Sequence, residues 1–171
     1  MFGQLEVLQH ALPSSIRQVL EELPESLDEK YERILREIRK PYQEHAPQLL
    51  HCLAAAVRPL RVEEIAEVLA IDFNMGRIPK LNLDWRSEDP EEAVMSACSS
   101  LVIIVKDVDS WVVRLSHSSV KRFLTSNRLA EPIRDVSYYH IQLEMAHSIL
   151  AQSCLGVLLQ FDDRVDRDNI E

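Results

Sequence analysis

The chain has 171 residues, of which 46% are hydrophobic and 27% charged, and its formal net charge is −9. That length suits one domain or two small helical subdomains sharing a core, and the composition is globular rather than disordered. An acidic total repels nucleic-acid backbones and anionic membranes unless a local basic stripe overrides it, and the sequence contains no such stripe.

Residues 4–10 read as a short helical piece. Pro13 and Ser14 open a helix with Ile16, Val19, Leu20 and Leu23 on one face, and Pro24 ends it. Ser26-Leu-Asp-Glu29 is a capping box, with Leu27, Tyr31, Ile34, Leu35 and Ile38 as the apolar stripe behind it. Acidic residues lead that helix and Arg36, Arg39 and Lys40 end it, as the macrodipole favours. Pro47 starts a helix carrying Leu49, Leu50, Leu53, Ala54 and Val57, and Pro59 closes it. Val62, Ile65, Ala66 and Leu69 mark the next one. Residues 71–88 read as a long loop holding Gly76, Pro79 and Trp85.

Asp89-Pro90-Glu91-Glu92 combines a cap, a proline at the first helical position and a carboxylate at the third. Val94, Met95, Cys98 and Leu101 line the helix that follows. Two β-branched runs then flank Lys106 to Ser110, which predicts a hairpin, and a short helix from Ser118 places Val120, Phe123 and Leu124 together. Residues 127–139 read as loop. A last helix runs from about Leu143 to Leu159, with Met145, Ile149, Leu150, Cys154, Val157 and Leu158 as its stripe. The segment 162–171 holds five acidic and two basic residues, and no turn or cap.

This order predicts a mainly α protein. A helical linker subdomain occupies 1–42, and a winged-helix domain with a two-stranded β wing occupies 43–128. A trailing helical segment occupies 129–171, as the start of a further helical region.

The chemistry-bearing residues are few. Gly3, Gly76 and Gly156 are too scattered for a phosphate-cradling loop. Cys52, Cys98 and Cys154 each fall within an apolar helical pattern, which predicts buried, reduced thiols. No Cys-x-x-Cys or His-x-x-x-His pairing suggests a metal, and His45, His51, His140 and His147 read as surface or hydrogen-bonded histidines. The opening residues lack a basic segment followed by an apolar run, and no apolar stretch approaches the ~20 residues that span a bilayer. The expected location is cytoplasmic, with no membrane partner. Trp85 either anchors a partner or covers the core. His117 stands where the hairpin gives way to helix, a place where free backbone N–H groups meet anions.

Four segments carry a family resemblance. Residues 23–35 (Leu-Pro-Glu-Ser-Leu-Asp-Glu-Lys-Tyr-Glu-Arg-Ile-Leu) resemble the linker helix after the nucleotide-binding core of fungal NACHT-type STAND NTPases. Residues 56–70 resemble the start of their winged-helix domain. Residues 115–126 (Leu-Ser-His-Ser-Ser-Val-Lys-Arg-Phe-Leu-Thr-Ser) resemble their Ser-His-x-Ser-Val-x-Glu-Phe-Leu motif, and residues 146–155 resemble the helix that follows. Many such proteins carry ankyrin or WD repeats further on. The winged-helix part is also similar to the module catalogued as the GPI inositol-deacylase winged-helix domain, although no Gly-x-Ser-x-Gly nucleophile elbow is present.

The resemblance implies a nucleotide-sensing role for His117, with Ser118 beside it. In STAND proteins the histidine at the end of the wing reaches the β-phosphate of ADP. Here Ser118 stands where many relatives carry Asp or Phe, and Arg122 where Glu is common. The P-loop, the Walker B acids and the sensor arginine are missing from the sequence. No cofactor is therefore expected on this chain alone, and ADP or ATP is expected only with a NACHT core, in cis or in trans.

The function implied is non-catalytic: a regulatory module of a STAND signalling NTPase that couples nucleotide state to conformational switching and assembly. The alternative is a protein–protein interaction adaptor without nucleotide sensing. A DNA-binding winged helix is the third reading. Its recognition helix would be 90–101, which starts with Asp89, Glu91 and Glu92 and contains no Lys or Arg, so no nucleic-acid partner is expected.

Overall fold

The computed structural model describes residues 26–73, 79–133 and 135–168, apart from the side chains of residues 99 and 160–168. The chain divides into two compact units, 1–30 and 31–171. The helices expected at 4–10 and 14–23 lie outside the described residues.

Helix α1 spans Leu27–Glu37 and begins with the anticipated capping box. The Ser26 N–H donates to Glu29 Oε2 at 2.8 Å, and the Glu29 N–H to Ser26 Oγ at 3.3 Å. Two N–H groups that a helix start leaves unbonded are thereby satisfied. Tyr31, Ile34, Leu35 and Ile38 are buried, whereas Leu27 is exposed.

Helix α2 (Ala46–Ala55) is the centre of the core. Leu49, Leu50 and Cys52 are fully buried along it, and it packs against α3 (Val62–Leu69), α4 (Pro90–Cys98) and α6 (Leu143–Asp168). Proline in its first turn suits a position whose N–H has no helical partner. Its C-cap Ala56 turns into extended backbone, and Val57, counted above with the core face, stands fully exposed in the connection that follows. At the start of α3, Glu64 accepts the Arg61 N–H at 2.9 Å. At the start of α4, Asp89 Oδ1 accepts the Glu92 N–H at 2.9 Å, as the cap signature predicts. Met95 points outward from α4.

The wing is the antiparallel hairpin β4 (Val102–Asp107) and β5 (Ser110–Leu115), with Asp107 opposite Ser110 and Val102 opposite Leu115. A short strand β1 (Leu60–Arg61) pairs with the other edge of β5, so the hairpin belongs to a three-stranded sheet of order β1-β5-β4. The mainly α architecture with a small β wing and a trailing helix is as the sequence predicts.

The stretch 71–88 is not simply a loop. Ile71–Asp72 (β2) and Lys80–Leu81 (β3) pair antiparallel, and Leu83–Trp85 forms a 3-10 turn. Runs of two residues are too short to leave a period-2 signal. The last helix does not stop near Leu159 but continues to Asp168, because acidic residues are weak evidence against a helix when no Pro or Gly interrupts it. Cys154 is exposed, unlike Cys52 and Cys98.

Gly156 lets α6 approach the strand pair closely: a Cβ there would lie 3.1 Å from the Pro79 carbonyl oxygen. Among the described residues of 127–139, only Ser137–Tyr139 form a regular element, a 3-10 turn, yet Leu129, Val136 and Tyr139 are buried in the main core.

Candidate functional site

Helix α5 (Ser118–Leu124) begins directly after β5, and His117 is its N-cap, in extended backbone (φ −155°, ψ 152°). Its Nδ1 accepts the Ser119 N–H at 3.1 Å. A ring nitrogen that accepts carries no proton, so the neutral imidazole holds its proton on Nε2. Nδ1 also lies 2.7 Å from Ser119 Oγ, and Ser119 Oγ lies 2.7 Å from the Tyr31 hydroxyl. One arrangement satisfies both short contacts: Tyr31 donates to Ser119, and Ser119 donates to Nδ1.

Ser118, the residue paired with His117 at the sequence level, is exposed at the first helical position. Ser119 is the hydroxyl that engages the ring and the core. Ser119 is absent from the sequence reading, although its helical phase, beside the buried Val120, turns it towards the core. Helix α5 is only two turns long, so its dipole is small and the helix end by itself makes no anion site.

His117 and Ser118 line an open cleft of about 440 Å³. Arg58, Arg114 and Lys121 also line it, with Leu53, Val57 and Leu60 among its aliphatic walls. These cations come from three separate segments, which is why the sequence shows no basic stripe. Arg58 forms a bidentate pair with Glu64, at 2.8 and 2.6 Å. That guanidinium holds the Glu64 carboxyl below its usual range, more strongly than partial burial raises it. Lys121 Nζ donates to the Ala54 carbonyl at 2.7 Å, near the end of α2. Arg114 lies 3.7 Å from the Asp107 carboxylate, beyond hydrogen-bond distance.

A second hollow, an apolar groove of about 360 Å³, runs between α3 and α6. Val68, Ile71, Leu150, Val157 and Leu158 line it, and it shares Arg58 and Leu60 with the first cleft. Helix α6 is apolar on two faces. Ala146, Ser153 and Gly156 are buried against the core, while Leu155, Leu158 and Leu159 are 54%, 61% and 45% exposed. Met145 and Leu158, placed on the core stripe by periodicity, belong to the outward set. Periodicity does not separate the two sets, because both faces of the helix carry aliphatic residues.

Trp85 is half-exposed, with its ring edge-on to His45 at a centroid distance of 5.4 Å. Glu91 and Glu92 are exposed at the start of α4, so the helix in the recognition position presents carboxylates. Among the described residues, no group of His, Cys, Asp and Glu could hold a metal ion. Nor is any described helix long and apolar enough to cross a membrane.

Residues 31–133 match the family described as GPI inositol-deacylase, winged helix domain. Among curated proteins, the azaphilone pigments biosynthesis cluster protein L of Monascus ruber is 32% identical over 145 residues, which cover 82% of this chain and 30% of that protein. The chain therefore spans under a third of the length of that curated relative. No solved structure matches this chain.

Proposed function

The chain belongs to the family of GPI inositol-deacylase winged-helix domains, and we propose that it works as a non-catalytic protein–protein interaction module. The observation that carries this reading is the outward face of α6, where Leu155, Leu158 and Leu159 stand exposed beside an apolar groove. A helix apolar on two opposite faces is normally covered on both, and exposed aliphatic patches bordered by polar residues mark contact surfaces. The acidic start of α4 argues against duplex DNA as the partner. A tagged full chain, crosslinked in its own cells, tests the reading. A stoichiometric protein partner retained by the native chain and lost in a Leu155→Asp, Leu159→Asp double variant supports it. A chain recovered alone in both cases contradicts it.

A second reading is favoured by one observation: His117 borders a cleft that also holds Arg58, Arg114 and Lys121. It is the coupling role of STAND winged-helix domains, with ADP held jointly by this cleft and a NACHT core supplied in cis or in trans. Calorimetric titration separates the two. ADP binding that appears only when such a core is present, and is lost in His117→Ala, supports coupling. Partner binding unchanged by His117→Ala and indifferent to ADP supports the plain interaction module.

A further inference from the structure

We infer that the cleft beside His117 and the groove beside α6 form one bipartite docking track for a peptide segment of a partner protein, acidic at one end and aliphatic at the other. The inference rests on the interaction reading and specifies the chemistry of the partner. Arg58 and Leu60 line both hollows, so the two are neighbours across a shared wall. Arg58 is neutralised by its bidentate bond to Glu64 and is held in place by it. It marks the junction rather than supplying charge.

The charge of the first half comes from Arg114 and Lys121. The Lys121 ammonium has three donors and spends one on the Ala54 carbonyl. Its charge therefore meets a dipole there rather than a carboxylate. Arg114 has only the loose approach of Asp107. The His117 Nε2–H adds a neutral donor. In a protein of net charge −9, a carboxylate run is repelled by the surface as a whole and attracted to a cleft that gathers cations, which favours docking there. The second half is walled by Val68, Ile71, Val157 and Leu158. Glu67, at its edge, is held by Arg86 at 2.8 Å. Such a wall takes the aliphatic side chains of a bound segment out of water, which favours binding.

A nucleic acid would satisfy the cationic half and leave the apolar half empty. An anionic lipid has both chemistries, but a membrane sets a whole sheet of negative charge against the −9 surface, where a peptide brings only a short run to the cleft. A peptide segment with both parts is the occupant that suits the whole track.

Panning a phage-displayed random-peptide library on the full chain tests this. The expected result is enrichment of peptides with an Asp/Glu run next to aliphatic residues. Fluorescence anisotropy of a synthetic copy should show affinity falling about tenfold or more in Arg114→Glu, and again in Leu158→Glu, with weakening as salt rises. Arg114 and Leu158 are exposed, so neither change should disturb the core, and circular dichroism of both variants checks that the fold is kept. Failure to enrich such peptides, enrichment of neutral or basic ones, or undiminished binding by both variants overturns the proposal. Displacement of the peptide by ADP, or binding of phosphatidylserine vesicles at the same residues, also overturns it. A partner captured through Leu155 and Leu159 but indifferent to Arg114→Glu and Leu158→Glu would leave the interaction reading standing without the track.

Discussion

Tyr31 and Ser119 lie 88 positions apart and share a 2.7 Å hydrogen bond in the core. The Tyr31 ring also packs on Phe123, with centroids 5.4 Å apart. Together these contacts fasten α1 to α5 and, through Ser119, fix the ring of His117. Tyr31→Phe should cost about 1 kcal/mol in urea unfolding, the usual net worth of one buried hydrogen bond. Ser119→Ala should cost more, because it strands the Tyr31 hydroxyl and releases His117. A double-mutant cycle between the two should show clear non-additivity. Independent, additive effects would mean that the bond does not form in solution.

The three thiols should react at different rates. Burial pushes Cys52 up to about 11, and it pushes the fully buried Cys98 higher still. Thiolates react and thiols do not, so both should be inert near neutral pH. Cys154 is exposed on α6. An Ellman titration of the folded protein should count one thiol, abolished by Cys154→Ser, and three after denaturation.

His51 should make the protein acid-sensitive. It is buried, with Nδ1 donating to the Pro47 carbonyl at 2.6 Å. Burial lowers its pKa from the ordinary 6.5, more than the Pro47 bond raises it, and His140 lowers it further. In the window below pH 6.5 the unfolded chain takes up a proton that the folded chain refuses, so stability falls as pH falls. Above that value both states are neutral and the effect vanishes. Urea midpoints at pH 7.5 and 5.5 should differ for the native chain, and the gap should shrink in His51→Gln.

Leu129 should behave as a core residue although it lies in an irregular segment. It is fully buried in the main cluster. Leu129→Ala should cost about 2–5 kcal/mol, as in a helical core. A cost below about 1 kcal/mol would place the segment outside the cooperative core.

The helices with strong caps were legible in the sequence. Ser26 with Glu29, and Asp89 with Glu92, announce their helices through side chains a few positions apart. The hairpin was legible through its β-branched runs. What was not legible depends on distant segments. The pairing of β1 with β5 and of β2 with β3 involves two residues on the short side, too few for a period. The basic cleft collects Arg58, Arg114 and Lys121 from separate elements. His117 could be singled out by its junction, but its partner Ser119 could be chosen over Ser118 only once the helical phase was fixed.

The outward face of α6, with Leu155, Leu158 and Leu159 exposed, is the proposed contact surface for another protein. Photo-crosslinking from a benzoylphenylalanine at position 155, with position 109 at the wing tip as control, tests it most directly. A discrete crosslinked protein is expected from position 155 and none from position 109. Equal yields from the two positions, or none from position 155, would contradict it.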